Sequence, residues 1–140
     1  MSATTIKAFD TTLQLTYAWL HELAEQMGTQ DRHRAYHALW AVLHALRDRL
    51  TVEEVAALGA QLPLLVRGIY YEGWHPGNKP LKTRREDFLA AIRAAFRDDP
   101  DVDPEEVIQA VFLLLSRHVT VGEIESVKHL LPAKLRSLWP

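Results

Sequence analysis

Three histidines on one predicted helix come closest to a recognisable chemical site. His33, His37 and His44 fall within about 40° of arc when they are plotted at 3.6 residues per turn. The four-residue step from His33 to His37 would let two imidazoles share a metal ion. However, Arg34 stands where a zinc-protease motif needs glutamate, and the sequence places no third ligand. We therefore favour histidines at the edge of an apolar face, and we expect neither a metal nor a cofactor.

A second set of residues could bind an anionic ligand or a protein surface. Trp40, His44 and Arg47 share one stripe of the same predicted helix, within about 60° of arc. Arginine offers a rigid fork of donors, and histidine exchanges protons near neutral pH. Further candidate binding residues follow downstream, at Arg67, Tyr70, Tyr71, Trp74 and His75. The competing interpretation is that these aromatic residues plug the junction between two helical halves.

A basic cluster lies just after these aromatic residues, at Lys79, Lys82, Arg84 and Arg85. Basic groups beside aromatic rings can bind single-stranded nucleic acid. The whole chain nevertheless has a net charge of −2, so no general positive field attracts nucleic acid. Nucleic-acid binding through this cluster is therefore the third of three functional interpretations.

Several classes of catalytic or metal site are excluded or disfavoured by residue type. The chain has no cysteine, which excludes thiol catalysis and cysteine-ligated metals. Asp99, Asp101 and Asp103 alternate as in a calcium loop, but Pro104 and Ala110 occupy the positions that need glycine and glutamate. No serine lies in a nucleophile-elbow motif, so we predict no catalytic residue.

The elements that position these residues are predicted by an internal repeat with a shift of 69 positions. Residues 50–55 then correspond to residues 119–124, and residues 62–67 correspond to residues 131–136. Similarity at a fixed period indicates one structural unit built twice. With no segment of period two, the fold class is predicted to be an all-α bundle of two pseudo-symmetric repeats, each with about three to four helices.

The domain organisation follows from the same repeat. Repeat one covers about residues 10–72, a linker rich in glycine and proline covers 73–83, and repeat two covers about 84–139. All of these belong to one domain over residues 1–140, because a chain of this length forms one core. Residues 1–9 are expected to form a poorly ordered arm.

Helix boundaries are predicted from caps and apolar spacing. The first helix should run from about Thr11 to Met27, with a buried stripe at Leu13, Tyr17, Leu20, Ala24 and Met27. Capping boxes at Thr51 and Thr83 each predict the start of a further helix. Helices should also begin after Asp103 and Thr120.

The repeat helps to separate structural from functional positions. Features present in both copies should build the fold, namely Glu54 and Glu123, Pro63 and Pro132, and Arg67 and Arg136. For the two arginines we expect an ion pair or a carbonyl contact that holds the corner after each proline. Features of one copy only, such as Trp40, His44 and Arg47, are better candidates for binding.

Three stretches of the chain resemble a known bacterial family. They are residues 42–50, residues 58–63 and residues 67–74, together with Gly122-Glu123-Ile124 and Leu138-Trp139. These stretches resemble the DUF2267 family over about residues 9–139. The resemblance implies a small, soluble, bacterial helical protein, and it supplies no catalytic residue.

The most favoured function is a non-catalytic binding or interaction module. Its partner would be a protein or a second copy of the chain, because tryptophan, tyrosine and arginine dominate interface energetics. The alternative is a pocket for a small anionic ligand between the repeats, with or without enzymatic activity. We read no signal peptide and no apolar run of about 20 residues, so we expect a cytoplasmic protein without a membrane span.

Overall fold

The computed structural model describes residues 5–140, and this part of the chain forms eight α-helices with no strand. The helices are α1 Lys7–Met27, α2 Arg32–Arg47, α3 Val52–Gly59, α4 Leu64–Tyr71, α5 Arg85–Ala95, α6 Pro104–His118, α7 Val121–His129 and α8 Ala133–Arg136. The predicted all-α fold class is confirmed. None of the helices within residues 5–140 combines the length and the apolar character that a membrane span requires.

The order of the helices follows the 69-residue shift in sequence. Helices α3 and α7 begin 69 residues apart, at Val52 and Val121, and α4 and α8 do the same, at Leu64 and Ala133. The first helices of the two halves differ, because α1 has 21 residues and α5 has 11. A symmetric arrangement of the halves in space stays a prediction, as do the domain and linker boundaries.

The core is built around α2 and α6, which pack against each other. Helix α2 also contacts α1, α4 and α5, while α6 contacts α1, α5 and α7. Their inward side chains are fully buried, for example Leu39, Leu43 and Leu46 on α2 and Ile108, Phe112 and Leu115 on α6. Burying each such side chain stabilises the fold by about 1.5–3 kcal/mol, so these two helices hold the others in place.

Most predicted helix starts are confirmed by their caps. The Thr51 hydroxyl accepts from the Glu54 amide at 3.3 Å, and the Thr120 hydroxyl accepts from the Glu123 amide at 3.4 Å. Asp103 caps α6, with Pro104 as the first helical residue. The capping box at Thr83 is wrong, because α5 begins at Arg85 after an N-cap at Arg84. Arg84 pairs with Asp87 across this first turn.

Helix α1 departs from prediction in its start and in its buried face. It begins at Lys7, so residues 7–9 belong to a helix, while residues 1–4 of the predicted arm lie outside the described residues. Leu13 and Tyr17 were expected to be buried, and both are exposed. The buried residues of α1 are Thr16, Trp19, Leu20, Leu23 and Ala24. The buried side of the helix is therefore centred near Trp19 and Leu23, and Leu13 and Tyr17 lie outside it. Of the predicted stripe, only Leu20 and Ala24 are buried, so apolar spacing placed the buried face too far towards Leu13 and Tyr17.

Candidate functional site

Arg47 and His44, two of the predicted binding residues, lie where α2 meets the carboxyl end of α4. The side chain of Arg47 is buried, with 5% of the residue exposed. Its Nη1 donates to the carbonyls of Tyr70 and Glu72, both at 2.7 Å, and its Nε donates to Asp48 at 3.0 Å. The last carbonyls of a helix have no amide partner within it. Arg47 therefore caps α4, and its positive charge suits this end of the helix dipole.

His44 completes the same cap from one turn earlier on α2. Its Nε2 donates to the carbonyl of Ile69 at 2.7 Å. Burial lowers the pKa of His44 most strongly, while the bond to Ile69 opposes this shift. The lowered pKa favours the neutral imidazole, and the contact with a carbonyl requires the proton on Nε2. The ring of Trp40 lies against it, with centroids 4.2 Å apart.

Arg67 holds the corner between α3 and α4. Its Nε donates to the Gly59 carbonyl at 2.8 Å, and its Nη2 donates to the Leu62 carbonyl at 2.9 Å. The expected carbonyl contact is therefore confirmed for Arg67. Its counterpart Arg136 is exposed and makes no side-chain hydrogen bond within residues 5–140. The two arginines thus share a sequence position without sharing a role.

Tyr70 and Tyr71 pack against α3, and both point towards one carbonyl. The buried Tyr70 hydroxyl donates to Val55 at 2.9 Å, and Tyr71 approaches the same carbonyl at 3.4 Å. Burial raises the pKa of Tyr70 far above its ordinary value, so the hydroxyl keeps its proton. The Tyr71 ring lies so close to Gly59 that a Cβ there would be 2.6 Å from the tyrosine hydroxyl. These tyrosines are parts of the α3–α4 packing.

The last two predicted binding residues follow the end of α4. Trp74 is half-buried, and its ring centroid lies 5.9 Å from that of Tyr71. His75 is exposed and makes no side-chain hydrogen bond within the described part of the chain. The structure therefore gathers Trp40, His44 and Arg47 at one side of the α4 terminus, and Tyr70, Tyr71 and Trp74 at another. His75 belongs to neither group.

The candidate metal histidines have other surroundings. His37 is hydrogen bonded through Nε2 to the carbonyl of Ala95, and His44 is bonded to Ile69 as described. His33 is exposed. Within residues 5–140, no group of three or more histidine, aspartate or glutamate side chains is arranged to hold a metal ion.

Two members of the basic cluster have acidic partners. Arg84 pairs with Asp87 at 2.9 Å, and Arg85 pairs with Glu105 at 2.6 Å. Lys82 is exposed and Lys79 is half-buried. The pairing lowers the positive charge that the cluster presents to a phosphate backbone.

Glu54 and Glu123, the two matching glutamates of the repeat, meet where α3 packs against α7. Burial, followed by the hydrogen bond and the charge of Glu54, raises the pKa of Glu123 to about 7. One carboxylate oxygen of Glu123 is buried with no hydrogen-bond partner within the described residues. Glu53, Glu125 and His129 line the cavity beside this pair. The arrangement favours one proton shared between the two carboxyl groups.

An exposed apolar surface on α1 is the feature that sequence reasoning missed. Four large side chains are about half exposed, at Ile6 (53%), Phe9 (56%), Leu13 (44%) and Tyr17 (55%). Phe9, Leu13 and Tyr17 are spaced four residues apart and lie on one face of α1, and Ile6, the N-cap residue, precedes them by three positions. We call these four residues the α1 stripe. The signal was present in the sequence as apolar periodicity, but periodicity alone does not distinguish a covered face from an open one.

Comparison with known proteins concerns residues 16–138, which include Tyr17 but not the other three residues of the α1 stripe. No curated protein matches the chain. The model of the family described as "Uncharacterized conserved protein (DUF2267)" matches residues 16–138, from the first buried residue of α1 to the last helix and beyond. The match includes the caps that Arg47 and His44 form on α4. Since it spans most of the 140 residues, the chain belongs to the DUF2267 family.

Proposed function

We propose that this chain is a non-catalytic interaction module that binds a protein partner through the α1 stripe. The observation that carries the proposal is a set of four large apolar side chains, each about half exposed, three on one face of α1 and the fourth, Ile6, at its N-cap. Contiguous exposed apolar surface marks interaction sites, because covering it removes apolar area from water. Tyr17, at one end of the stripe, adds an aromatic ring of the kind that dominates interface energetics.

The contacts of the predicted aromatic and arginine residues support a structural role for these residues and not a ligand site. Arg47, Arg67 and His44 direct donor atoms at backbone carbonyls. An anion at Arg47 would have to displace two carbonyls, and displaced buried carbonyls cost about 1–3 kcal/mol each. We therefore do not carry the anionic pocket, or an enzymatic version of it, forward as a second function. Nucleic-acid binding is likewise not carried forward, because Arg84 and Arg85 are paired.

The shape of the stripe favours an α-helical partner. Ile6 and Tyr17 are 11 residues apart, which corresponds to roughly 16 Å along the helix axis. A partner helix of about three turns could cover this length, with apolar residues three and four positions apart. Polar residues such as Asp10 and Gln14 flank the stripe and would form the rim of the contact.

A bacterial, cytoplasmic location is part of the proposal. It is supported by the family resemblance, and the absence of cysteine is compatible with a reducing compartment.

Site-specific photocrosslinking in cells of the source bacterium tests the proposed surface. A benzoylphenylalanine residue would replace Leu13 in one variant and Val121 in a matched control. Val121 is also apolar and is 77% exposed, but it lies on α7, away from the stripe. We expect a discrete crosslinked species at position 13 and none at position 121. The absence of adducts at position 13, or the same adducts at both positions, would overturn the proposal.

A further inference from the structure

We infer that the partner bound by the α1 stripe is a second copy of this chain, docked antiparallel so that two stripes cover each other across a twofold axis. The inference rests on the proposed function, because it requires the stripe to be the contact surface. It adds the identity of the partner and the register of the contact. Both follow from the pattern of residues along α1 and from two charges at its edge.

The stripe has a pattern that is complementary to itself when reversed. Leu13 stands at the centre, and Phe9 and Tyr17 lie four residues to either side. If the twofold axis passes by Leu13, the two Leu13 side chains meet, and Phe9 of each copy faces Tyr17 of the other. Ile6 then lies opposite the edge of Leu20, where the stripe joins the buried face of α1. Each end of the contact thus pairs two aromatic rings, an arrangement that stabilises a contact beyond the area it buries.

Two opposite charges at the edge of the stripe, Asp10 and Arg32, fit this register. Arg32 holds its guanidinium 5.7 Å from the centroid of the Tyr17 ring. Asp10 lies seven residues before Tyr17, which places it within about 20° of the same edge of the stripe. Neither Asp10 nor Arg32 forms an ion pair within residues 5–140.

The symmetry of the contact brings these charges together. A twofold axis perpendicular to two antiparallel helices keeps the same edge of each helix on the same side of the interface. Asp10 of one copy then lies opposite position 16 of the other, beside the Tyr17 ring that carries Arg32. The contact therefore forms two equivalent Asp10–Arg32 pairs, one at each end. Reversing one helix to a parallel arrangement would separate them.

The size of the stripe sets the expected strength of the dimer. Three turns of helix with four apolar side chains per copy belong at the low end of specific interfaces, roughly 1,200 Å² or less in total. Such an area fits a reversible dimer with a dissociation constant on the order of micromolar.

Sedimentation equilibrium of the purified full chain, at loading concentrations that span the micromolar range, tests the dimer. We expect a reversible monomer–dimer equilibrium for the wild type. Leu13→Lys should raise the dissociation constant at least tenfold, because two lysines would meet at the axis. Val121→Lys is the matched control and should leave it unchanged. Circular dichroism and urea unfolding would confirm that both variants fold, which is expected because both positions are exposed.

A charge exchange tests the register. Asp10→Arg and Arg32→Asp should each weaken the dimer, because like charges then face each other, and the double variant should restore it. A wild type that stays monomeric, a Leu13→Lys dimer as strong as the wild type, or a double variant that gains nothing would each overturn the inference.

The crosslinking result separates the two levels of the proposal. A monomeric wild type that crosslinks at position 13 to a different protein would reject self-pairing and retain the interaction function. A monomeric wild type without any adduct at position 13 would reject both.

Discussion

The carboxyl end of α4 and the exposed face of α1 carry the residue types that usually bind ligands or partners, but they use them in opposite ways. At the end of α4, Arg47 and His44 donate to three carbonyls that the helix leaves without amide partners. On α1, four large apolar side chains remain about half exposed. The difference teaches that residue type alone does not mark a site. A binding site needs donors, acceptors or apolar surface that contacts within the fold do not already occupy.

The two regions also differ in what they contribute to the free energy of folding. A buried guanidinium is stable only when its donors are satisfied, and Arg47 meets that condition with three hydrogen bonds. Breaking the network therefore costs folding free energy. The α1 stripe contributes little to the free energy of folding, because its side chains are only about half buried in the single chain.

The largest expected effect comes from Arg47→Met. Removing the buried guanidinium leaves the buried Tyr70 carbonyl and the more exposed Glu72 carbonyl without this donor, so the free energy of unfolding should fall by about 3 kcal/mol. Urea unfolding followed by circular dichroism measures this loss. Arg136→Met, at the matching position of an exposed arginine, should stay within about 0.5 kcal/mol.

An Arg47→Met variant with wild-type stability would reverse the comparison. It would make Arg47 a residue held ready for a ligand instead of a cap on α4.

A smaller effect is expected at Glu123, where a polar group is buried without its full set of partners. Its pKa is about 7 in the folded chain and lower when unfolded, so the folded state binds the extra proton. The resulting stabilisation is fully present below about pH 4.5 and is lost as pH rises through 7. After discounting for partial exposure, we expect a loss of about 1–2 kcal/mol between pH 5 and pH 8.

Urea unfolding of the wild type and of Glu123→Gln at both pH values measures that loss. The glutamine variant removes the titration, so its stability should change less over this range than that of the wild type. Parallel pH profiles for the two proteins would show that Glu54 and Glu123 do not share a proton.

The smallest expected effect separates the two tyrosines of α4. Tyr70→Phe loses a 2.9 Å bond from a buried hydroxyl and should cost about 1 kcal/mol, since the Val55 carbonyl loses its closer donor. Tyr71→Phe loses only a 3.4 Å contact and should cost less than about 0.5 kcal/mol. Equal losses in urea unfolding would mean that both hydroxyls cap the Val55 carbonyl to the same extent.

Local features of the sequence were sufficient to predict most of the helical framework. The starts of α3, α6 and α7 were predicted from Thr51, Asp103 and Thr120, because each cap acts on an amide two or three residues away. Glu54 and Glu123 were recognised as matching positions of a repeat. Their contact, and the unpaired oxygen that comes with it, could not be predicted, because it depends on how α3 packs against α7.

The sequence by itself therefore determined the all-α class, the order of the helices and their apolar faces, since these depend on short-range spacing. Only the tertiary structure decided which of those faces are covered and which donors are used. The carbonyls that occupy Arg47 lie 23 and 25 residues along the chain. The exposure of Leu13 and Tyr17 depends on which side of α1 the other helices pack against, namely the side of Trp19 and Leu23. Both outcomes depend on how the helices pack against one another, and the spacing of residues within one helix carries no information about that packing.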